Sequence, residues 1–187
     1  MMKFIGIIPA RYASTRFPGK PLADMNGKPM IQRVYEQVKD VLDSVCVATD
    51  DIRIENAVKA FGGQVVMTSD QHRSGTDRCY EAYQKIGEGY DVIVNIQGDE
   101  PFIHPEQIQT IKTCFADANT QIATLVQYYL PIWENGTEKH LFRKNILKKQ
   151  PENRLILPKK NIQSVDTDIS IGSLLIIPSA FMELSEM

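Results

Sequence analysis

Phe4-Ile5-Gly6-Ile7-Ile8-Pro9-Ala10-Arg11-Tyr12-Ala13-Ser14-Thr15-Arg16-Phe17-Pro18-Gly19-Lys20 stands almost at the start of the chain. Its apolar run, Phe4 to Ile8, reads as a buried β-strand. Three cations follow, Arg11, Arg16 and Lys20, with no acid between them and with small residues and Gly19 in the intervals. A loop of this kind suits a polyphosphate. Guanidinium and ammonium groups match phosphate charge, and small side chains let backbone N–H groups come close. A solvated basic turn has the same composition. The position directly after a buried strand favours the phosphate reading, because open α/β sheets bind ligands at the carboxyl ends of their strands.

Outward from this stretch, strand-like and helix-like segments alternate. Pro29–Leu42 carries apolar residues near helical spacing and reads as a helix, and Ser44–Thr49 as a strand ending in Asp50-Asp51. Ile52–Phe61 is a short helix stopped by Gly62-Gly63. Gln64–Thr68 is a strand, Gly75–Lys85 a helix, and Asp91–Ile96 a strand. Pro105–Ala116 is a helix with Pro at its start, and Gln121–Val126 a further strand. Such alternation predicts an α/β fold with a mostly parallel central sheet flanked by helices. The polar clusters fall mainly after strands: Arg11 to Lys20, Asp50-Asp51, Ser69 to Arg78, and Gln97 to Glu100. They are therefore expected to converge on one site.

After Val126 the pattern loses regularity. Tyr128 to Trp133 is aromatic and contains Pro131, and His140 to Lys160 is strongly basic. Only Ile169–Ile177 again resembles a strand. The expected organisation is one domain over residues 1–187, regular over 1–126 and irregular or incomplete over 127–187.

The chain has 187 residues, enough to bury a substantial core, with 43% hydrophobic and 24% charged residues. A net charge of −2 disfavours nonspecific nucleic-acid binding, so the basic loop is a local feature whose natural partner is a compact anion. The three cysteines, Cys46, Cys79 and Cys114, show no metal-binding or disulfide spacing and read as buried thiols of a reducing, cytoplasmic environment. The start shows no signal-peptide pattern, and no stretch approaches the roughly 20 apolar residues of a membrane span.

Two further clusters carry chemistry. Gln97-Gly98-Asp99-Glu100-Pro101 follows a buried strand, and an acid in that position is placed to hold Mg²⁺ beside substrate phosphates. The competing reading is a turn in which Asp99 bonds its own backbone. In His72-Arg73-Ser74-Gly75-Thr76-Asp77-Arg78, Ser74 or Thr76 suits a helix cap, and the same groups could read a base or ribose. His72 has no partner visible in the sequence. Asp50 and Asp51 read as loop acids or a cap. Trp133 reads as core or interface, and the basic run from His140 as a solvated face.

Taken in order, these stretches resemble the 3-deoxy-manno-octulosonate (Kdo) cytidylyltransferases. The carrying motifs are Ile8 to Leu22, Asn26 to Ile31, Val47 to Asp50, Met67-Thr68, Ser74 to Arg78, and Val94 to Pro101. They cover roughly residues 3 to 125. The resemblance implies a nucleotide-diphospho-sugar transferase-like, Rossmann-like fold. It also implies the reaction of CTP with Kdo to give CMP-Kdo and pyrophosphate, for lipopolysaccharide synthesis. By motif, Ala10, Arg11, Ser14, Arg16 and Lys20 would hold the nucleotide. Ser74, Thr76 and Arg78 would lie near the cytidine, and Gln97 would contact the sugar. Asp99 would bind Mg²⁺. Lys20, Arg11 and Asp99 would carry the catalytic charge stabilisation. A cytoplasmic homodimer, with no nucleic-acid partner and no membrane insertion, is implied as well. The resemblance implies a nucleotide-binding part at 1–126 and an irregular or incomplete sugar-binding or dimerisation part at 127–187, where the later motifs of that family, including an acid that supplies a second carboxylate to the metal, are not recognisable. A truncated or divergent chain, or a shifted reading frame, fits that region. Two alternatives remain at this point: a nucleotide-binding module without turnover, and a cytidylyltransferase for another acidic sugar such as a sialic acid.

Overall fold

A computed structural model of the chain describes residues 1–13, 17–87, 89–120, 122–134, 137–149, 155–156 and 170–176, and beyond residue 124 it describes the backbone alone. Among the described residues eight strands form one sheet in the order β3-β2-β1-β4-β8-β5-β6-β7. Its first half is parallel and alternates with helices. In chain order these elements are β1 (Phe4–Ala10), α1 (Met30–Val38), β2 (Ser44–Thr49), α2 (Ile52–Ala60), β3 (Gln64–Met67), α3 (Gly75–Ile86) and β4 (Val92–Asn95). After α4 (Pro105–Lys112) come β5 (Ile122–Glu134), β6 (Thr137–Lys149), β7 (Leu155–Ile156) and β8 (Ser170–Ile176). The expected α/β class is what the molecule has.

The helices stop and start where local chemistry dictates. Asp51 caps α2 by accepting the Arg53 N–H at 2.9 Å, and Ser74 caps α3 by accepting that of Asp77 at 3.1 Å. After α2, Gly62 takes a left-handed φ of 78°, a conformation that costs glycine little. In α1 the residues Ile31, Val34 and Val38 recur at helical spacing and are buried. The helix ends at Val38, earlier than the sequence pattern suggests, because Val41 N–H turns back to the Val38 carbonyl.

The sheet is apolar on both faces, as parallel sheets are. On one face Ile8, Val47 and Val94 meet Val34 of α1, Ile54 and Val58 of α2, and Ile108 and Ile111 of α4. On the other, Ile5, Ile7, Ala48 and Ile93 meet Cys79 and Ala82 of α3. From β1 the chain moves through β2 to β3, then returns by α3 on the opposite face to place β4 on the far side of β1. The loops after β1 and β4 therefore part company at a topological switch point, the place where such sheets hold ligands.

After Val126, where the sequence pattern loses regularity, the described residues form paired strands. β5 runs on to Glu134 and pairs antiparallel with β6 along its whole length, with Glu134 opposite Thr137. The two residues between them are Asn135-Gly136, the pair most favoured in two-residue hairpins, and this signal outweighs the missing alternation. The strand expected near Ile169–Ile177 is β8, which lies between β4 and β5 and is antiparallel to both.

Candidate functional site

The basic loop is pinned before it reaches the switch point. The Tyr12 carbonyl accepts the Gly19 N–H at 2.9 Å, and Gly19 adopts a left-handed φ of 71°. A β-carbon at Gly19 would sit 3.0 Å from the Tyr12 ring. The Arg53 guanidinium covers that ring 3.3 Å from its centroid, a cation–π contact that holds it. A 3₁₀ turn at Lys20–Leu22 follows, so the Lys20 ammonium is presented from a fixed base.

The loop after β4 is laid against the same strand. Ile96 N–H donates to the Ile7 carbonyl at 3.0 Å. One residue past Gln97, a β-carbon on Gly98 would come within 2.9 Å of the Pro9 carbonyl oxygen. Only glycine permits this approach, and it carries Asp99 beside the basic loop. There Lys20 Nζ donates to Asp99 Oδ2 at 2.7 Å. The two side chains are 37% and 52% exposed, so the pair is a surface contact worth at most about 1 kcal/mol and is readily exchanged for other partners.

The third contribution is the start of α3. Its Gly75 lies close to Pro9, where an added β-carbon would be 3.2 Å from the ring. Arg78 is 3% exposed. It donates through Nη1 to Thr68 Oγ1 at 2.6 Å and through Nη2 to Asp50 Oδ2 at 2.6 Å. Asp50 and Thr68 follow the ends of β2 and β3, so Arg78 ties three elements together where the sheet meets the cleft. His72 finds its partner in Glu81 of α3, which also accepts the Ser69 N–H at 2.9 Å. Hydrogen bonding from Lys85 first, and from Ser69 and His72 after it, holds the Glu81 carboxyl down at about 2 against an ordinary 4.5.

These three segments enclose a cleft of about 600 Å³, within the usual range for small-molecule sites. Of the residues singled out from sequence, Ala10, Arg11, Lys20, Ser74, Arg78, Gln97 and Asp99 line it. Thr76 lies on the first turn of α3 and is not among the lining residues, and Ser14 and Arg16 lie outside the described residues. The side chains of Trp133, its neighbouring tyrosines and the basic run from His140 also lie outside them. Sequence reasoning passed over Arg73, Phe17 and Gly98, which line the cleft too. Only the loop position of Arg73, directly before the capping Ser74, signalled it.

Among the described lining residues four cations, Arg11, Lys20, Arg73 and Arg78, accompany a single carboxylate, Asp99. That donor set fits Mg²⁺ in one respect: an oxygen ligand already faces a cation, the Lys20 ammonium. Among the described residues no group of three or more His, Cys, Asp or Glu side chains could hold a metal by itself. An ion here would need oxygens from a bound phosphate, which is how Mg²⁺ is commonly held.

The family model for cytidylyltransferases matches residues 5–163. The chain belongs to this family. Over 145 residues the chain is 90% identical to the 3-deoxy-manno-octulosonate cytidylyltransferase of Parabacteroides distasonis, a match that covers 78% of the chain and 57% of that protein. Over 137 residues it is 72% identical to the enzyme of the same name from Phocaeicola vulgatus, covering 73% of the chain and 54% of that protein. The chain thus spans little more than half the length of these relatives. A solved structure of CMP:2-keto-3-deoxy-manno-octonic acid synthetase complexed with CTP is similar at a TM-score of 0.70 and 32% identity, over 98% of this chain and 78% of that one. The resemblance read from the six motifs is borne out.

Proposed function

We propose that the cleft binds CTP, and that the chain serves the transfer of its cytidylyl group to Kdo with release of pyrophosphate, a step of lipopolysaccharide synthesis. The observation that carries this is the meeting of Lys20 and Asp99 at 2.7 Å, from loops far apart in sequence, on the rim of a cation-lined cleft at the switch point. The names of the relatives supply the substrates.

In this reading the triphosphate draws Arg11, Lys20 and Arg73, which can neutralise it without moving the sheet. The Kdo anomeric hydroxyl attacks the α-phosphorus. The bond from that phosphorus to the bridging oxygen breaks, pyrophosphate departs, and the hydroxyl proton passes to solvent. Such transfers depend on alignment and on charge stabilisation rather than on covalent help from the protein. Lys20 and Arg11 offset the charge gathering on the leaving group. Ser74 and Gly75 bring the start of α3 to the cleft, where backbone N–H groups and a hydroxyl can orient the nucleotide. Gln97, exposed after β4, would contact the sugar. Asp99 would hold Mg²⁺ together with phosphate oxygens, and the ion would supply further stabilisation of phosphate charge.

The buried thiols Cys46, Cys79 and Cys114, none of them in a disulfide, suit a reducing cytoplasm. The homodimer implied by the family resemblance is tested by sedimentation. The enzymatic reading is tested by pyrophosphate release with CTP, Mg²⁺ and Kdo. Turnover that survives both Lys20→Ala and Asp99→Ala would refute the site. Binding without turnover is the second reading, favoured by Asp99 being the single carboxylate among the described residues that line the cleft. It is distinguished by a CTP-dependent rise in melting temperature with no pyrophosphate formed.

A further inference from the structure

The segment between β3 and α3 delivers His72, Arg73 and Ser74 to the cleft. Its path is set from behind by a side chain that is not among the cleft-lining residues. Glu81 of α3 accepts the Ser69 N–H at 2.9 Å through Oε2 and pairs with His72 Nε2. Its Oε1 receives the Lys85 ammonium at 2.7 Å. Lys85 in turn donates to the carbonyl of Met67, the last residue of β3, at 2.8 Å. A single carboxylate thus grips the segment at Ser69 and at His72, and through Lys85 it is joined to the strand from which the segment leaves.

We propose that Glu81 is a positioning residue, which by holding Ser69 and His72 sets the loop that presents Arg73 and Ser74 to the nucleotide. This rests on the reading of the cleft as a CTP site. Each loop residue left free would have to be ordered on binding, and a loop held in place beforehand avoids that loss. The charged acceptor makes the hold stronger than a neutral hydrogen bond. Arg73 depends on it most. It is exposed, and the loop residue just before it is the one Glu81 pairs.

The test compares wild type, Glu81→Gln and Glu81→Ala in two measurements. Amide exchange in the ligand-free proteins reads the loop directly. The Ser69 amide should exchange about tenfold faster or more in Glu81→Ala, with β1 and β2 amides unchanged. Glu81→Gln should fall between, since its carbonyl oxygen still accepts from Ser69. Calorimetric titration with CTP should show affinity falling about fivefold or more in Glu81→Ala and less in Glu81→Gln. Unchanged Ser69 protection overturns the proposal, and so does a loosened loop with unchanged affinity. Where Glu81→Ala does not fold, Glu81→Gln decides on the same two readings. A wild type that binds no CTP refutes the function reading instead, and the exchange data then support or overturn the hold on the loop by themselves.

Discussion

Replacing Asp50 by Ala strips the Arg78 guanidinium of its only described carboxylate. Arg78 is 3% exposed, and its remaining described partner is Thr68 Oγ1 at 2.6 Å. A charge left buried without its partner typically costs about 3–5 kcal/mol. Thr68 stays and Asp50 itself is partly exposed, so the lower end, about 3 kcal/mol, applies. For a chain of this size each kcal/mol moves the melting temperature by about 2–4 °C, which gives a fall of about 6–12 °C. The decisive comparison is Asp50→Ala against the double variant Asp50→Ala/Arg78→Met. Removing the cation as well removes the cause of the penalty, so the double variant should be the more stable of the two. Thermal melting and urea titration of all three proteins measure this. A fall below 2 °C for Asp50→Ala, or a double variant less stable than Asp50→Ala, would refute the view of Arg78 as a buried tie (threshold about 1 kcal/mol by the same conversion).

Gly98→Ala forces its β-carbon to 2.9 Å from the Pro9 carbonyl oxygen, backbone that cannot step aside, so stability should drop by about 1–3 kcal/mol, read by urea titration, and CTP affinity should drop with it. Acid should destabilise the fold in a defined window. Glu81 is held at about 2, and Asp51 and Glu36 are also lowered by their Arg53 and Lys28 partners, so their contribution is complete above about pH 4.5 and is lost as pH falls towards 2. Urea midpoints from pH 6 to pH 2.5 should trace that loss, and Glu81→Gln should flatten it. Burial pushes the Cys46 thiol up to about 12, so iodoacetamide at pH 8 should leave Cys46 unlabelled in the native protein and label it in urea.

Much of the parallel half was legible because its signals are local. β2 occupies Ser44–Thr49 as its apolar run suggests, and Gly62 and Ser74 mark a helix stop and a helix start where expected. The basic loop and the Asp99 loop could be named separately, since each follows a buried strand. Their convergence was expected from the gathering of ligand loops at strand ends, but the ion pair of Lys20 and Asp99 was not, because it depends on the close approach of Gly98 to Pro9. The partners of Arg78 and His72 were hidden too. Asp50 lies 28 residues from Arg78, and no periodicity links Glu81 to His72. The hairpin of β5 and β6 was missed although Asn135-Gly136 announced it, because the flanking residues do not alternate cleanly between polar and apolar.

The place of β8 bears on the order in which the molecule can assemble. Leu174, Leu175 and Ile176 pair with Asn95, Val94 and Ile93 on one side and with Thr124, Ala123 and Ile122 on the other. The parallel quartet draws all its partners from the first 95 residues and can condense while the ribosome is still at work. The hairpin that follows has no strand to dock on until residues 174–176 have emerged. Until then β4 presents an open edge, the sort of surface through which nascent chains find one another, so among the described strands it is β8 that closes the interval of greatest exposure to aggregation.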